Sequence, residues 1–507
     1  MKKIMLYLLL GMLVQSCGSL KKVPKPSADD VVIKIIQIND VYEIDAINNG
    51  KKGGLARVAY IHDSISHLYP NTYFFLAGDF VNPSLLGTIK VDNERLQGKQ
   101  MVEVLNLAGL DLTTFGNHEF DIKEADLQKR LNESNFKWTS ANTLHVTKDG
   151  VKPFEKYTAS GVEPVSDYEI YHAKSNNGKE AKFAVVGVTI PSNPKDYVFY
   201  GDIYKDFNRA YKIAAQQSDF VLGLTHVSIE EDKTLARLNP GIALIMGGHE
   251  HYNMKYKVKK TIITKADANV TSLYLHTLLY NTKTKSVKVF SELVKVDDKY
   301  PFKPAVQDVV TKWNHILDEN LKTIIENPNE VIYNAVDPLD GTDVSSRSKQ
   351  TNLGTLICKA MSYVYNDTPD GVITNGGGIR IDDKVAGAVT GKDVFRIMPF
   401  GGSVLLVDMT GKLLKEVLDF GNKAIGNGAY LQRYNIAYSK DKWTIKNQVI
   451  DDEKVYTIAL NDFLMLGKDI PFLTPENPGV KKVQRPQDTD GASDIRKTVV
   501  KYLKALK

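Results

Sequence analysis

The feature that most constrains this chain is a series of short apolar, β-branched runs, most of which stop abruptly at a polar residue: VVIKIIQI, TYFFLAGD, LTTFGNHEF, KFAVVGVTI, DFVLGLTH and GIALIMGGHEH. Runs of this length read as strands buried on both faces. Helix-period stretches such as GGLARVAYIHDSISHLY and LQGKQMVEVLNLAGL lie between several of them, the alternation expected of an α/β layered domain. In open α/β sheets ligands bind in the crevice beyond the carboxyl ends of the strands. The residues that emerge there are Asp40, Asp79, Asn117, His118, His226, His249 and His251.

Residues 268 to 297 read as a β-hairpin closing this unit. The amphipathic stretch KPAVQDVVTKWNHILDENLKTIIENP, with no interior glycine, predicts a helix of about six turns and marks a domain border. Beyond it, helices (NLGTLICKAMSYVYN, GKLLKEVLDFGNKA) mix with strands (DGVITN, SVLLVDM, KVYTIALND) into a second α/β domain. The resulting division is a leader over 1–16, a tether over 17–30, a first domain over 31–300, a linker helix within 301–331 and a second domain over 332–507.

With 507 residues, 43% hydrophobic and 25% charged, the chain can build two or three real cores. The net charge of +5 comes with no dense basic block, which argues against a nucleic-acid polymer as partner. Lys2, Lys3 and the short apolar run after them have signal-peptide character and are too short to span a bilayer. Val14-Gln15-Ser16-Cys17 resembles a bacterial lipoprotein cleavage box, so lipidation at Cys17 and export to the periplasm or cell surface are expected, with the membrane met only through that anchor. The other cysteine, Cys358, is expected to be a buried small hydrophobe, and with Cys17 acylated no internal disulfide forms.

The strand-end set offers aspartates, an asparagine and histidines but no cysteine, a mixture that suits Mn, Zn, Fe or Co. The remaining histidines, His62, His67, His145, His172, His276 and His315, have no such context and are expected to be structural or exposed.

The ordered series D, GD, GNHE, H, GHxH resembles the calcineurin-like metallophosphoesterases, and GNHEFD with GGHEH narrows this to their 5′-nucleotidase branch. The resemblance implies a four-layer β-sandwich flanked by helices and two divalent metals about 4 Å apart, supporting in-line hydrolysis at phosphorus. By the same resemblance Asp79 bridges the metals, Asn117, His226 and His249 hold one, and Asp40 and His251 hold the other. His118, oriented by Asp121, stabilises the phosphoryl transition state or protonates the leaving group. Gly78, Gly116 and Gly248 fit tight turns that swing the ligands inward.

One departure stands out. The family usually reads Asp-X-His at the first motif, where this chain reads Asp40-Val41-Tyr42. A phenol has a pKa near 10 and coordinates well only when deprotonated. Three readings stay open: Tyr42 is a ligand, it lines the site while water completes the shell, or the first metal and the activity are lost.

The segments RSKQTNLGTLICKAM, NGGGIR, PFGG and NDFL resemble, in that order, the carboxy-terminal substrate-binding domain of 5′-nucleotidases. The match implies that Arg347, Asn375 and Arg380 meet ribose and phosphate, that Phe400 and Phe463 sandwich the base, and that Asp469 takes the ribose hydroxyls. Lys468 replaces a usual glycine in GKDI, which leaves room for pairing with Asp469 or for reaching an extra phosphate. The expected activity is hydrolysis of nucleoside 5′-monophosphates. The alternatives on the same scaffold are 2′,3′-cyclic nucleotides and nucleotide sugars or polyphosphates, and one of another class is a nucleotide-binding lipoprotein without turnover.

Overall fold

The computed structural model describes residues 23–192 and 194–507; the leader and Cys17 lie outside the described residues. Two six-stranded sheets form the first domain. In the first sheet Asp30–Ile38, Thr72–Leu76, Leu112–Thr114 and Lys137–Thr139 run parallel. The antiparallel hairpin Ser272–Asn281 and Ser286–Lys295, within the stretch where a hairpin is expected, adds to the free side of Asp30–Ile38. In the second sheet Glu180–Thr189, Phe220–His226, Leu244–Gly247 and Thr261–Lys265 are parallel, with antiparallel edges Tyr168–Lys174 and Met254–Val258.

Strand periodicity explains how the sheets stack. Along Asp30–Ile38, Val31, Ile33 and Ile35 face the second sheet and meet Phe75, Phe183, Leu222, Leu224 and Leu278, while Ile36 and Ile38 face the opposite way. That outer face is covered by helices Leu55–Leu68, Lys99–Ala108 and Glu124–Glu133. Helices Ile203–Gln217 and Ile229–Leu238 cover the outer face of the second sheet through Phe207, Ala210, Ala214 and Leu235. Helices, sheet, sheet and helices make four layers. Gln37 breaks the apolar pattern between the sheets: fully buried, it donates to Gly247 O (3.1 Å) and Thr264 O (2.9 Å) and pins the two sheets together near their carboxyl ends.

The linker helix occupies Pro304–Lys322, about a turn shorter than its pattern predicts, because Thr323 N turns back to Asn320 O and Leu321 O. It buries Val306, Val310, Trp313, Leu317 and Leu321 against the first domain, where Trp313 Nε1 donates to Glu103 Oε2 at 2.8 Å. The second domain is built on a five-stranded sheet in the order Leu431–Tyr434, Gly371–Asn375, Val455–Asn461, Val404–Thr410 and Val480–Gln484. Helix Gly411–Lys423 packs on one face through Leu414, Val417 and Leu418, and helices Asn352–Tyr363 and Ile495–Ala505 cover the other. Cys358 is completely buried in Asn352–Tyr363, and burial pushes its thiol pKa up, in keeping with the expected small-hydrophobe role.

Candidate functional site

Five parallel strands of the first domain, Asp30–Ile38, Thr72–Leu76, Leu112–Thr114, Phe220–His226 and Leu244–Gly247, deliver polar side chains to one end of the sandwich. Asp40 and Asp79 follow the strands Asp30–Ile38 and Thr72–Leu76 and hold left-handed backbone conformations (φ +52° and +58°), as does His249 (φ +84°). Non-glycine residues visit this region rarely, and such strain concentrates at functional sites. Of the three glycines expected at tight turns, only Gly78 has the left-handed φ (+72°). Gly116 serves a different need: a Cβ there would collide with the Asp79 carboxylate, so the bare backbone makes room for that side chain.

Glu119, whose role sequence reasoning missed, holds these loops from below. It is fully buried and accepts from Asp79 N (2.9 Å), Phe80 N (2.8 Å), Val81 N (3.0 Å) and Gly116 N (2.5 Å). Burial, reinforced by Asp79, raises its pKa against the effect of these bonds. Lys265 does the equivalent on the second sheet. Its buried ammonium donates to Val227 O (2.5 Å) and Gly248 O (2.7 Å), fixing the backbone just after His226 and just before His249, and pairs with Asp232 and Glu250. A Ser228–Glu231 capping box starts the helix that follows His226.

Asp40, Asp79 and His226 bring one ligand atom each within 4.8 Å of one another. His226 Nδ1 donates to Ala77 O at 2.7 Å, which directs the other nitrogen, Nε2, at Asp79 Oδ2 (3.1 Å) and Asp40 Oδ1 (4.0 Å). That buried Nε2 makes no hydrogen bond. Two carboxylates and this ring nitrogen form a group that could hold a metal ion. Burial alone would lower the His226 pKa, but Asp79 and Asp40 push it up to about 9. Against its own burial, Asp79 is held well below the usual carboxylate range by His226 and His118, and Asp40 is lowered by His251 and His226. Burial, followed by His226, pushes His249 down to about 3, leaving a neutral imidazole at physiological pH.

His251 Nε2 lies 3.5 Å from Asp40 Oδ1, and its Nδ1 lies 2.5 Å from Asp382 Oδ2. Burial opposes protonation of His251, and Asp382 nonetheless raises its pKa well above the ordinary value. Tyr42 is buried beside it, with its hydroxyl 3.1 Å from His251 Nε2 and 3.3 Å from Asp79 Oδ2. Burial first, then Asp79 and Asp40, raise the phenol pKa well above its ordinary value. Asn269 Oδ1 accepts from Tyr42 N (2.9 Å) and Glu43 N (3.2 Å) and braces this loop.

His118 points into the cleft with Nδ1 2.6 Å from Asp121 Oδ2, which also accepts from Asn82 Nδ2 at 3.1 Å. The His118 backbone N–H donates to Asp79 Oδ1 at 2.8 Å. From the second domain, Arg380 Nη2 comes within 3.4 Å of His118 Nε2. Asn375 Nδ2 donates to Asp469 Oδ2 (2.8 Å) and its Oδ1 accepts from Asn461 Nδ2 (3.1 Å). Arg347 pairs with Asp343 at 2.7 Å, while its buried Nε makes no hydrogen bond. Phe400 is 58% exposed and lines the cleft.

One cleft of about 1020 Å³ joins the two groups: Asp79, Asn117, His118, Asp121, His249 and His251 line one wall, and Arg347, Asn375, Arg380, Phe400, Phe463 and Asp469 the other. Asp40 and His226 lie fully buried behind the first wall. Lys468 is exposed and not among the lining residues. Of the histidines set aside in the sequence, His276 is buried between Gln37 and Ser291, His62 bonds Ala108 O and His145 pairs with Glu124.

Residues 33–253 match the family model for calcineurin-like phosphoesterases, and residues 331–474 the model for the 5′-nucleotidase C-terminal domain. The chain belongs to the 5′-nucleotidase family. The 5′-nucleotidase of Bos taurus is 27% identical over 469 residues, covering 82% of this chain and 78% of that protein. That of Vibrio cholerae is 27% identical over 437 residues, 73% of each. The fold is shared with the 5′-nucleotidase precursor of Thermus thermophilus, with a TM-score of 0.74 at 22% identity over 94% of this chain and 97% of that one. The protein is thus a 5′-nucleotidase-type phosphoesterase of two domains, a hydrolase of nucleotide phosphoesters. Calcineurin-like phosphoesterases use divalent metals, and the oxygen and imidazole donors around the unbonded His226 Nε2 fit such ions.

Proposed function

We propose that this 5′-nucleotidase-family enzyme hydrolyses nucleoside 5′-monophosphates to nucleosides and phosphate, with residues 31–300 as catalytic domain and 332–507 as substrate domain. The observation that carries the reading is the shared cleft, with carboxylates and imidazoles on one wall and exposed Phe400, half-buried Phe463 and the Asn375–Asp469 pair on the other. Two divalent ions would be held by Asn117, His226 and His249 and by Asp40 and His251, with Asp79 shared between them. Bound there, they supply Lewis-acid stabilisation of phosphoryl oxygens and a water of lowered pKa.

The chain's own residues do the rest. Asp121 accepts from His118 Nδ1 and holds the ring, so that Nε2 meets the phosphoryl group or the departing O5′ and places a proton there. Arg380, next to His118 Nε2, and Arg347 offset the phosphate charge. Phe400 and Phe463 stack on the base, worth about 1–3 kcal/mol per face, and Asp469, oriented by Asn375, accepts from the ribose hydroxyls. Tyr42 remains a neutral phenol that lines the site without coordinating.

The leader preceding Cys17 supports an exported, lipid-tethered enzyme; no described helix is long and apolar enough to cross a membrane. The test is phosphate release from AMP, 2′,3′-cyclic AMP and a UDP-sugar with added Mn²⁺ or Zn²⁺. AMP is expected to be fastest; a cyclic or sugar nucleotide turned over more than tenfold faster would overturn the substrate reading.

A further inference from the structure

We propose that Asp382, a residue of the C-terminal domain, positions His251 of the N-terminal domain, so that one metal site is completed across the domain boundary. The inference rests on the reading of His251 as a metal ligand. His251 Nδ1 lies 2.5 Å from Asp382 Oδ2. A carboxylate only accepts, so Nδ1 donates to Asp382 and the ring turns Nε2 toward Asp40 Oδ1, 3.5 Å away, where a bound metal would meet its lone pair. A bond of this kind fixes the tautomer and ring orientation of a ligating histidine and raises its basicity, and its loss costs about 10–100-fold in metal affinity.

The contrast with His226 gives the contact its meaning. His226 is oriented by Ala77 O, a backbone carbonyl of its own domain, and so is ready whatever the other domain does. His251 takes its orientation from the other domain. Asp382 is itself built into place: its backbone is left-handed (φ +45°), and its Oδ1 accepts from Asp343 N at 2.7 Å. Asp343 in turn pairs with Arg347, the arginine assigned to the substrate. One carboxylate thereby links a metal-binding imidazole to the segment that carries a substrate-binding guanidinium. Nearby, Arg396 Nε and Glu43 Oε1 pair at 3.0 Å across the same boundary, one residue from Tyr42. Metal occupancy and domain seating are then coupled, and each strengthens the other by the same factor.

The experiment is a titration of the metal-stripped full chain with Zn²⁺ against a chromogenic chelator, without substrate, on the parent, D382A, H251A and the double variant. The parent is expected to bind two equivalents. D382A weakens one of them by about 10–100-fold and leaves the other within about twofold. In the H251A background D382A weakens nothing further, since it acts through the imidazole. The amide variant D382N, where one oxygen must serve both donors, shows the same direction of loss and replaces D382A if that variant does not fold. A loss in the H251A background as large as in the parent, or two parent-like equivalents in D382A, overturns the positioning role. If H251A itself binds both equivalents like the parent, the metal-ligand reading fails instead.

Discussion

Replacing Glu119 by glutamine keeps shape and volume, removes the ionisable group and turns one acceptor oxygen into a donor. Each carboxylate oxygen of Glu119 accepts two backbone N–H groups: Oε1 from Phe80 and Val81, and Oε2 from Asp79 and Gly116. In E119Q one oxygen becomes an NH₂ group, so two buried N–H donors lose their acceptor. An unsatisfied buried donor costs about 1–3 kcal/mol, giving about 2–6 kcal/mol of destabilisation, a large part of an ordinary domain's stability of about 5–15 kcal/mol. Because one of the donors belongs to Asp79, a shift of its backbone also misplaces the carboxylate at the centre of the site. Misplacement by about 1 Å costs on the order of 10²-fold in rate. Urea unfolding at pH 7 gives the first quantity and phosphate release from AMP the second. A variant less than about 1 kcal/mol destabilised, with near-parental turnover, would refute the idea that Glu119 organises the loops.

On the proposed reading that Tyr42 lines the site without coordinating, Tyr42→Phe is expected to change kcat/KM for AMP by less than about tenfold, equivalent to about 1.4 kcal/mol; a larger loss, or a coloured ferric form from phenolate charge transfer, would indicate a ligand. Tyr42→His should tighten the first metal, so that activity survives EDTA concentrations that silence the parent. Phe400→Ala combined with Phe463→Ala should lower kcat/KM for AMP at least tenfold while sparing p-nitrophenyl phosphate. Equal losses on both substrates would make the two rings structural.

Much of the architecture was legible because periodicity encodes it. VVIKIIQI places Val31, Ile33 and Ile35 between the sheets and Ile36 and Ile38 under the helices, and the polar residue that ends most of the runs marks the strand end where the cleft lies. Long-range partnerships have no such signature. Glu119 stands in the GNHEF stretch, yet nothing in its spacing says that it turns inward to four amides. Asp382 reaches His251 only after the second domain has docked. Lys265 did carry a usable signal, a lysine ending the apolar strand TIITK, the same irregularity that picked out Asp40. The linker helix is shorter than its pattern predicts because the apolar pattern continues through Ile324 and Ile325 after the backbone has turned at Thr323.

The account rests on Asp79 joining metal binding to phosphoester cleavage, and the most direct measurement pairs metal content with phosphate release from AMP in the parent, Asp79→Ala and His118→Ala. The parent should carry two metal equivalents and hydrolyse AMP. Asp79→Ala should lose both ions and all activity, whereas His118→Ala should keep its metals and turn over about 10²-fold or more slower. An Asp79→Ala variant that retains both ions and cleaves AMP, or a His118→Ala variant stripped of metal, would contradict it.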